Sequence, residues 1–293
     1  MKGMYSIAGI SKQGFHQWLD RYLRALYEKQ QLYFLIKQIR RDHPRLSARQ
    51  MYFMLQPKTM GRDHFEEFCF ENGYRVKQKR KFYKTTDSRG VKRFDNLLLT
   101  LVELTGINQL WVSDITYFRI AERFYYLTFI TDIFNREIVG YNASESLLTT
   151  QTTIPALKMA IRKRSLKKSN HLILHSDGGG QYFSHEFTDL THDFNIQNSM
   201  GKTAYENPHA ERVNGTIKNE YLYEYNPQNF QELVSLLTKA VRMYNQFRPH
   251  SSLDRHSPAD FRRLIDKGLL TKTWVINKKK KVTKKEKVNI NIK

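Results

Sequence analysis

The stretch LWVSDITYFRI, residues 110–120, decides the fold of this chain. Two further runs rich in β-branched and aromatic residues follow it, FYYLTFITDIF at 124–134 and REIVGYNASES at 136–146. Runs of this composition are typical of strands, and the short breaks at 121–123 and at Asn135 are typical of the turns between them. The sequence therefore predicts a three-stranded antiparallel meander.

Helical and strand patterns alternate after the meander. A helix is predicted over 149–164, where threonines precede the apolar residues and Arg and Lys close the segment. The continuous apolar run HLILHSD at 171–177 predicts a strand buried on both faces, which three glycines end. Three more elements follow: a helix over 184–195, a strand over 196–200 and a helix over 206–225. The order β-β-β-α-β-α-β-α indicates an α/β domain.

The first 80 residues are predicted to be helical and to bind DNA. Apolar residues recur at helical spacing from Trp18 to Ile39, and a second helical pair lies within 46–76. Gly9 and Gly14 bracket a short segment that fits a DNA-reading helix-turn-helix and an ordinary helical hairpin equally well. Both interpretations stay open.

Composition limits the class of protein. The chain has 293 residues, of which 40% are hydrophobic, enough for a core and too much for global disorder. The single cysteine, Cys69, excludes an intrachain disulfide and a Cys-rich zinc site. No long apolar stretch or secretory signal is found, so we expect a cytoplasmic, nucleoid-associated protein without a membrane partner.

Positive charge is concentrated at the two ends of the chain. The net charge is +21, with +11 on residues 1–105, zero on 106–220 and +10 on 221–293. Such an excess indicates a polyanionic partner. We therefore predict five segments: a helical DNA-binding region at 1–80, a basic linker at 81–106, a catalytic core at 107–225, C-terminal helices packed on the core at 226–265, and a basic tail at 266–293.

Three carboxylates are candidates for chemistry. Asp114 lies in the middle of a predicted strand, where a buried charge needs a cation or hydrogen-bond donors. Asp177 ends the central apolar strand, and Glu211 lies on the last predicted helix. Because open α/β sheets place their sites at strand ends, we expect the three to converge at one edge of the sheet.

Other residues near these carboxylates are assigned supporting or alternative roles. Asp132 is a weaker metal-ligand candidate that would also serve as a turn cap, and Glu206 is the alternative to Glu211. His175 and Asn207 are expected to support the ligands without binding metal. The residues expected to contact DNA are Lys218, Asn214, Lys202, Arg212, Lys77, Lys79, Arg80 and Lys81.

Carboxylate oxygens without His or Cys favour Mg²⁺ or Mn²⁺ over zinc. In a basic chain, the reaction class that suits such ligands is phosphoryl transfer on nucleic acid with two ions. A purely structural acidic cluster is the alternative.

These motifs resemble the integrase core of bacterial insertion-sequence transposases whose catalytic subunit is a second reading frame. The resemblance spans about 107–262 and is carried by the segments NQLWVSDITYF, LILHSDGGGQYFSHEF and AERVNGTIKNEY. It implies a ribonuclease H-like mixed five-stranded sheet flanked by helices. It also implies that Asp114, Asp177 and Glu211 are a DDE triad. The 33 residues between Asp177 and Glu211 are slightly fewer than is usual in that family.

The resemblance also implies the reaction and the partners. Such an enzyme cleaves a strand at the element's end to free a 3′-OH, which then attacks another phosphodiester. Asp114 and Asp177 would bridge two ions, Glu211 would complete one of them, and Lys218 would contact a phosphate. The expected partners are double-stranded DNA (terminal inverted repeats and target), further copies of the chain on that DNA, and an upstream-frame subunit. A non-enzymatic DNA-binding regulator and a nuclease without strand joining remain as alternatives.

Overall fold

The computed structural model describes Tyr5, 9–76, 94–168, 171–201 and 207–276. Its contacts divide the chain into two compact units, Met1–Lys77 and Gln78–Lys293. In the described parts, no helix is long and apolar enough to cross a membrane.

The first unit is helical, as predicted. Its helices are α1 (Lys12–Asp42), α2 (Ala48–Leu55) and α3 (Arg62–Glu71). The hydroxyl of Ser11 accepts a hydrogen bond from the Gly14 amide at 2.9 Å and so caps the start of α1. Gly14 therefore lies in the first turn of a 31-residue helix and not in a turn between two helices.

Only the second half of α1 contributes to the core of this unit. Leu32 and Ile36 are buried, and they pack with residues of α2 and α3 such as Met51 and Phe65. The first half of α1 exposes large side chains, among them Trp18 and Tyr22.

The second unit is built on a five-stranded mixed sheet, which confirms the predicted fold class. Its strands are β2 (Leu110–Ile120), β3 (Arg123–Asp132), β4 (Ile138–Ser144), β5 (Leu172–Ser176) and β6 (Ile196–Met200). They are ordered β4-β3-β2-β5-β6. Strands β2, β3 and β4 pair antiparallel, whereas β5 pairs parallel with both β2 and β6.

Helices cover both faces of this sheet. They are α4 (Thr153–Arg164), α5 (His185–Asp193), α6 (Pro208–Thr216), α7 (Phe230–Gln246) and α8 (Pro258–Asp266). Helix α6 continues through a π-helical segment, Ile217–Leu222, and a last turn, Tyr223–Tyr225. One core lies between the sheet and α6 and α7, and the other between the sheet and α4 and α5.

Glycine allows α4 to approach the sheet closely. A Cβ added at Gly140 of β4 would lie 2.1 Å from the carbonyl oxygen of Ala156 in α4. No side chain fits at that distance, so Gly140 sets how tightly the helix packs.

The predicted linker and tail each contribute residues to this unit. Strand β1 (Glu103–Leu104) pairs antiparallel with β7 (Trp274–Val275). Leu104 is fully buried against residues such as Phe134 and Phe261. The structure therefore places the end of the predicted linker and the start of the predicted tail in the second unit, because their apolar side chains complete its third apolar cluster.

Candidate active site

Asp114 projects from the middle of β2, opposite Phe129 of β3. Its Oδ2 accepts a 2.6 Å hydrogen bond from Asn214 Nδ2, and its Oδ1 accepts one from the Ile115 amide at 2.9 Å. Neighbours on the same face of β2 include the buried Val112 and Phe118, consistent with the alternation of a strand. The carboxylate is thus held by two donors on a face of the strand that also carries these apolar side chains.

Negative charges converge on Asp114. Its pKa is raised to about 8, first by burial and then by the charges of Asp177 and Glu211, against the opposing effects of the Ile115 amide and the Lys218 ammonium. The charges of Asp177 and Glu211 thus act on Asp114 in addition to the larger effect of its burial.

Asp177 directly follows β5, the strand parallel to β2. Val112 pairs with His175 in this parallel register. Asp114 and Asp177 each come two residues later, so Asp177 lies beside Asp114 where β5 ends. Burial raises the pKa of Asp177, and a 3.1 Å hydrogen bond from the Gly179 amide to its Oδ1 partly offsets that effect. The loop after β5 thus orients this carboxylate.

Glu211 lies on α6 and is exposed to solvent. Three other residues on the same polar side of the helix hold the helix against β2. Asn207 Nδ2 donates to the backbone oxygen of Ser113 at 2.9 Å, Asn214 binds Asp114, and the Lys218 ammonium donates to Thr116 Oγ1 at 2.6 Å. These contacts fix the helix that carries Glu211 across the strand that carries Asp114.

Two predicted DNA-contacting residues therefore have partners within the site. Asn214 is buried, and its amide group supports Asp114. Lys218 also donates to the backbone oxygen of Tyr117 at 3.3 Å, and burial lowers its pKa. An ammonium has three N–H donors, so one remains for a further acceptor.

Arg212 is exposed on another side of α6. Five residues expected to contact DNA lie outside the described residues, and so does the alternative acid Glu206. The five are Lys77, Lys79, Arg80, Lys81 and Lys202.

His175, expected to support Asp177, is fully buried and shares a 2.9 Å hydrogen bond with Ser199 Oγ of β6. This contact links the central strand to the edge strand next to it. Support of Asp177 by His175 stays a prediction.

Asp132 forms a buried ion pair away from the three acids. Its Oδ2 lies 3.3 Å from Arg164 Nη2, and its Oδ1 accepts a hydrogen bond from the Phe134 amide at 3.0 Å. The turn-capping role weighed for it is the one observed, because a side chain bonded to the amide two residues on closes an Asx turn.

Sequence reasoning did not identify Tyr182 as part of the site. Its hydroxyl lies 2.9 Å from Ser113 Oγ, and the pKa of this buried phenol is raised by burial and by the charges of Asp177 and Asp114. The signal available was its position five residues after Asp177, on a loop that must return to the sheet. This contact links the loop after β5 to β2.

The carboxylate oxygens of Asp114, Asp177 and Glu211 are of the chemical type that binds a hard divalent cation. In the described parts of the chain, no three His, Cys, Asp or Glu side chains are close enough to hold one ion together. Nevertheless, a cation among Asp114, Asp177 and Glu211 would offset the repulsion that raises the pKa of Asp114. Carboxylate oxygens are the ligands that Mg²⁺ and Mn²⁺ prefer.

Comparison with known proteins places the chain among DNA-rearranging elements. Two family profiles described as integrase core domain match residues 105–205 and 192–258. An insertion element IS600 uncharacterized 31 kDa protein of Shigella sonnei is 34% identical over 88% of this chain and 97% of that protein. The transposase InsF for insertion sequence IS3A of Escherichia coli (strain K12) is 27% identical over 89% of this chain and 93% of its own.

Solved structures resemble the chain more distantly than these relatives do. The match to the HTLV-2 integrase catalytic core domain in complex with magnesium (dimeric form) covers 52% of this chain and 94% of the integrase chain, with 24% identity and a TM-score of 0.41. A simian T-cell lymphotropic virus intasome in complex with PP2A regulatory subunit B56 gamma covers 71% and 68%, with 17% identity and a TM-score of 0.45. The sequence relatives, and not these structures, carry the family assignment.

Proposed function

This chain belongs to the bacterial insertion-sequence transposases with an integrase core, and we propose that Asp114, Asp177 and Glu211 form its catalytic centre. As a transposase it cleaves DNA strands and transfers them to new sites. The observation that carries the assignment of the triad is the raised pKa of Asp114, caused first by burial and then by the charges of the other two acids. Perturbation of this kind is typical of functional sites.

The triad is proposed to bind divalent Mg²⁺ or Mn²⁺, as two ions. Asp114 and Asp177 come from neighbouring strands and would be shared between the ions, whereas the exposed Glu211 would reach one of them. When bound, such ions activate the attacking oxygen and stabilise the leaving oxygen.

Residues around the triad are proposed to position it. The Asn214 amide holds one oxygen of Asp114 and leaves the other oxygen to the Ile115 amide and to a ligand. The Lys218 ammonium, with one donor remaining, would contact a phosphate oxygen close to Asp114. Support for this second role comes from the effect of the Lys218 charge on the pKa of Asp114.

The proposed reaction has two balanced steps. Water attacks a phosphodiester at the element's end, the bond between phosphorus and the 3′ oxygen breaks, and the 3′ oxygen leaves as a hydroxyl. That hydroxyl then attacks a target phosphodiester, whose own 3′ oxygen leaves. The proposed partners are duplexes carrying the terminal inverted repeats, target duplexes, further copies of the chain and an upstream-frame subunit.

Labelled duplexes bearing the element's ends test this function. Incubation with the protein and Mg²⁺ is expected to yield both nicked strands and strands joined to a second duplex. Nicking without joining would instead indicate a nuclease, and binding without either product a regulator. Asp114→Asn is the matched control, because it keeps the size of the side chain and removes its charge.

A further inference from the structure

Arg136 is a cation whose described contacts include no carboxylate. It lies in the turn between β3 and β4 with a backbone φ of 60°. Its Nη1 donates to His209 Nδ1 at 3.2 Å, and its guanidinium carbon lies 5.2 Å from the centre of the Trp274 ring. A histidine and an indole thus orient the side chain without neutralising it.

The two acids closest to Arg136 in sequence are engaged elsewhere. Asp132 and Glu137 both bind Arg164, whose Nη2 lies 3.3 Å from the first and 2.9 Å from the second. The Lys163 ammonium also lies 2.9 Å from Glu137. The carboxylates of this turn therefore form their ion pairs with other cations, and among the described residues none lies within ion-pair distance of Arg136.

Trp274 also contacts a second cation, Lys272, which differs from Arg136 in having an acidic partner. The Lys272 ammonium lies 5.0 Å from the centre of the same ring, but it also forms a 3.2 Å ion pair with Asp254. Of the two cations on this indole, only Lys272 has an acid within reach among the described residues.

Arg212 adds a further positive charge beside Arg136. It lies three residues after His209 on α6, so both side chains leave the same side of the helix. Because the Arg136 guanidinium contacts His209, Arg212 lies near it, about one helical turn further along α6. Two cations near one another repel, and a bound anion offsets that repulsion.

We propose that Arg136 and Arg212 together bind one backbone phosphate of the DNA substrate, a contact that rests on the transposase function proposed above. Guanidinium groups match phosphate geometry through paired N–H donors, and Arg136 is already oriented for this.

The phosphate bound there is not the reacting one. Asn207, Asn214 and Lys218 point from α6 towards β2, whereas His209 and Arg212 lie on the side of the helix next to Arg136. An α-helix with its side chains is about 10 Å across. Because phosphates follow one another at about 3.4 Å along each strand's axis, the site would hold a phosphate a few positions away or on the other strand.

Salt dependence of DNA binding tests the proposal with the full chain and an end duplex in Ca²⁺ buffer. The double variant Arg136→Gln/Arg212→Gln is expected to flatten the slope of log Kd against log salt by about 0.9, the value for one phosphate, and each single variant to flatten it by part of that amount. Arg136→Lys, which keeps the charge, is expected to keep the slope. Arg242→Gln removes the same charge from an exposed position on α7 and serves as the matched control.

A neutral methylphosphonate, introduced at one phosphate at a time, locates the contact. At one position away from the cleavage site, the methylphosphonate is expected to weaken DNA binding by the wild type. The same substitution is expected to have no further effect on DNA binding by Arg136→Gln. If Arg136→Gln does not fold, the salt slope and the methylphosphonate scan of Arg212→Gln, a change at an exposed position, test the proposal instead. Unchanged slopes with a normal wild-type slope would overturn this inference alone. Absence of salt-dependent DNA binding by the wild type would overturn the proposed function as well.

Discussion

Asn214 Nδ2 lies 2.6 Å from Asp114 Oδ2, and this hydrogen bond joins helix α6 to the middle of strand β2. Because the helix that carries Glu211 also carries Asn214, the contact sets the distance between two members of the triad. An amide in this place can hold the carboxylate in one rotamer without competing for a cation.

Asn214→Ala is expected to lower strand cleavage by about 10- to 100-fold, the range typical of residues that orient metal ligands. The variant should also need more Mg²⁺ for half-maximal rate, which a titration of the metal would measure. Asn219→Ala, an exposed position farther along the same helical segment, is the control. Equal Mg²⁺ requirements in Asn214→Ala and wild type would refute the positioning role.

The triad itself is tested by removing one ligand at a time. Asp114→Asn, Asp177→Asn and Glu211→Gln should each abolish cleavage and joining while DNA binding stays near wild type, because each loses a metal ligand and keeps its shape. We expect activity with Mg²⁺ or Mn²⁺ and inhibition by Ca²⁺, whose longer and more flexible coordination holds the reacting oxygens poorly. Product formation would be followed with labelled end duplexes.

Glu206→Gln is the control for these variants and should be nearly silent. Loss of activity in Glu206→Gln together with a tolerated Glu211→Gln would move the third ligand to Glu206. Full activity in the presence of a chelator would refute metal dependence altogether.

The raised pKa of Asp114 predicts how stability changes with pH when metal is removed by chelator. A carboxyl group whose pKa is about 8 when folded and about 3.8 when unfolded binds more protons in the folded state between those values. The free energy of unfolding should therefore fall as pH rises from 4 to 8, relative to Asp114→Asn, which does not titrate.

Urea unfolding of both proteins at pH 5 and pH 8 measures this difference. From pH 5 to pH 8, the free energy of unfolding of the variant should rise relative to that of the wild type by at least about 1.4 kcal/mol, the equivalent of one pKa unit. A constant difference would show that the pKa of Asp114 is not raised in the folded protein.

Gly140→Ala should destabilise the catalytic unit, because a Cβ there would lie 2.1 Å from the carbonyl oxygen of Ala156. Moving α4 away from β4 weakens the packing between them, and overpacking of this kind typically costs about 1–3 kcal/mol. Gly215→Ala is the control, since its nearest neighbour would be 3.8 Å from the new Cβ. Thermal unfolding followed by circular dichroism distinguishes the two, and equal midpoints would contradict the close approach.

Residues 277–293 contain eight lysines and one glutamate and lie outside the described residues. We predict that they contact phosphates without reading sequence. Their removal should weaken binding to all duplexes alike and flatten the salt slope by several units, about 0.9 for each phosphate that the tail neutralises. Filter binding on end and unrelated duplexes would measure both effects. An unaltered slope would mean a tail that does not touch DNA, and a loss confined to end duplexes would mean that it reads sequence or shape.

The sequence alone was sufficient for the elements and their order. Runs of β-branched and aromatic residues predicted β2, β3 and β4, and the uninterrupted apolar run before Asp177 predicted a strand covered on both faces. These signals are local, because composition and continuous apolarity are read from neighbouring residues of one element. Asp114 stood out for the same reason, since a charge within a strand needs an explanation, whereas Asp177 was identified at a strand end and Glu211 through the family resemblance.

Partners distant in sequence were decided only by the tertiary structure. Asn214 and Lys218 were expected to face DNA, yet each binds a residue of β2 about 100 positions earlier. Tyr182 reaches Ser113 across 69 positions, and Trp274 Nε1 donates to the Phe134 oxygen across 140. No local period encodes such pairs, because they depend on which elements become neighbours when the sheet closes.

The same distinction explains Arg136. In sequence it stands between Asp132 and Glu137 and resembles one member of an ordinary charged turn. Folding brings Arg164 to both acids and leaves Arg136 against His209 and Trp274. The sequence thus determined which charges are present, and the packing of α4, α6 and β7 around one turn decided which of them remain unneutralised, because an ion pair depends on distance in space.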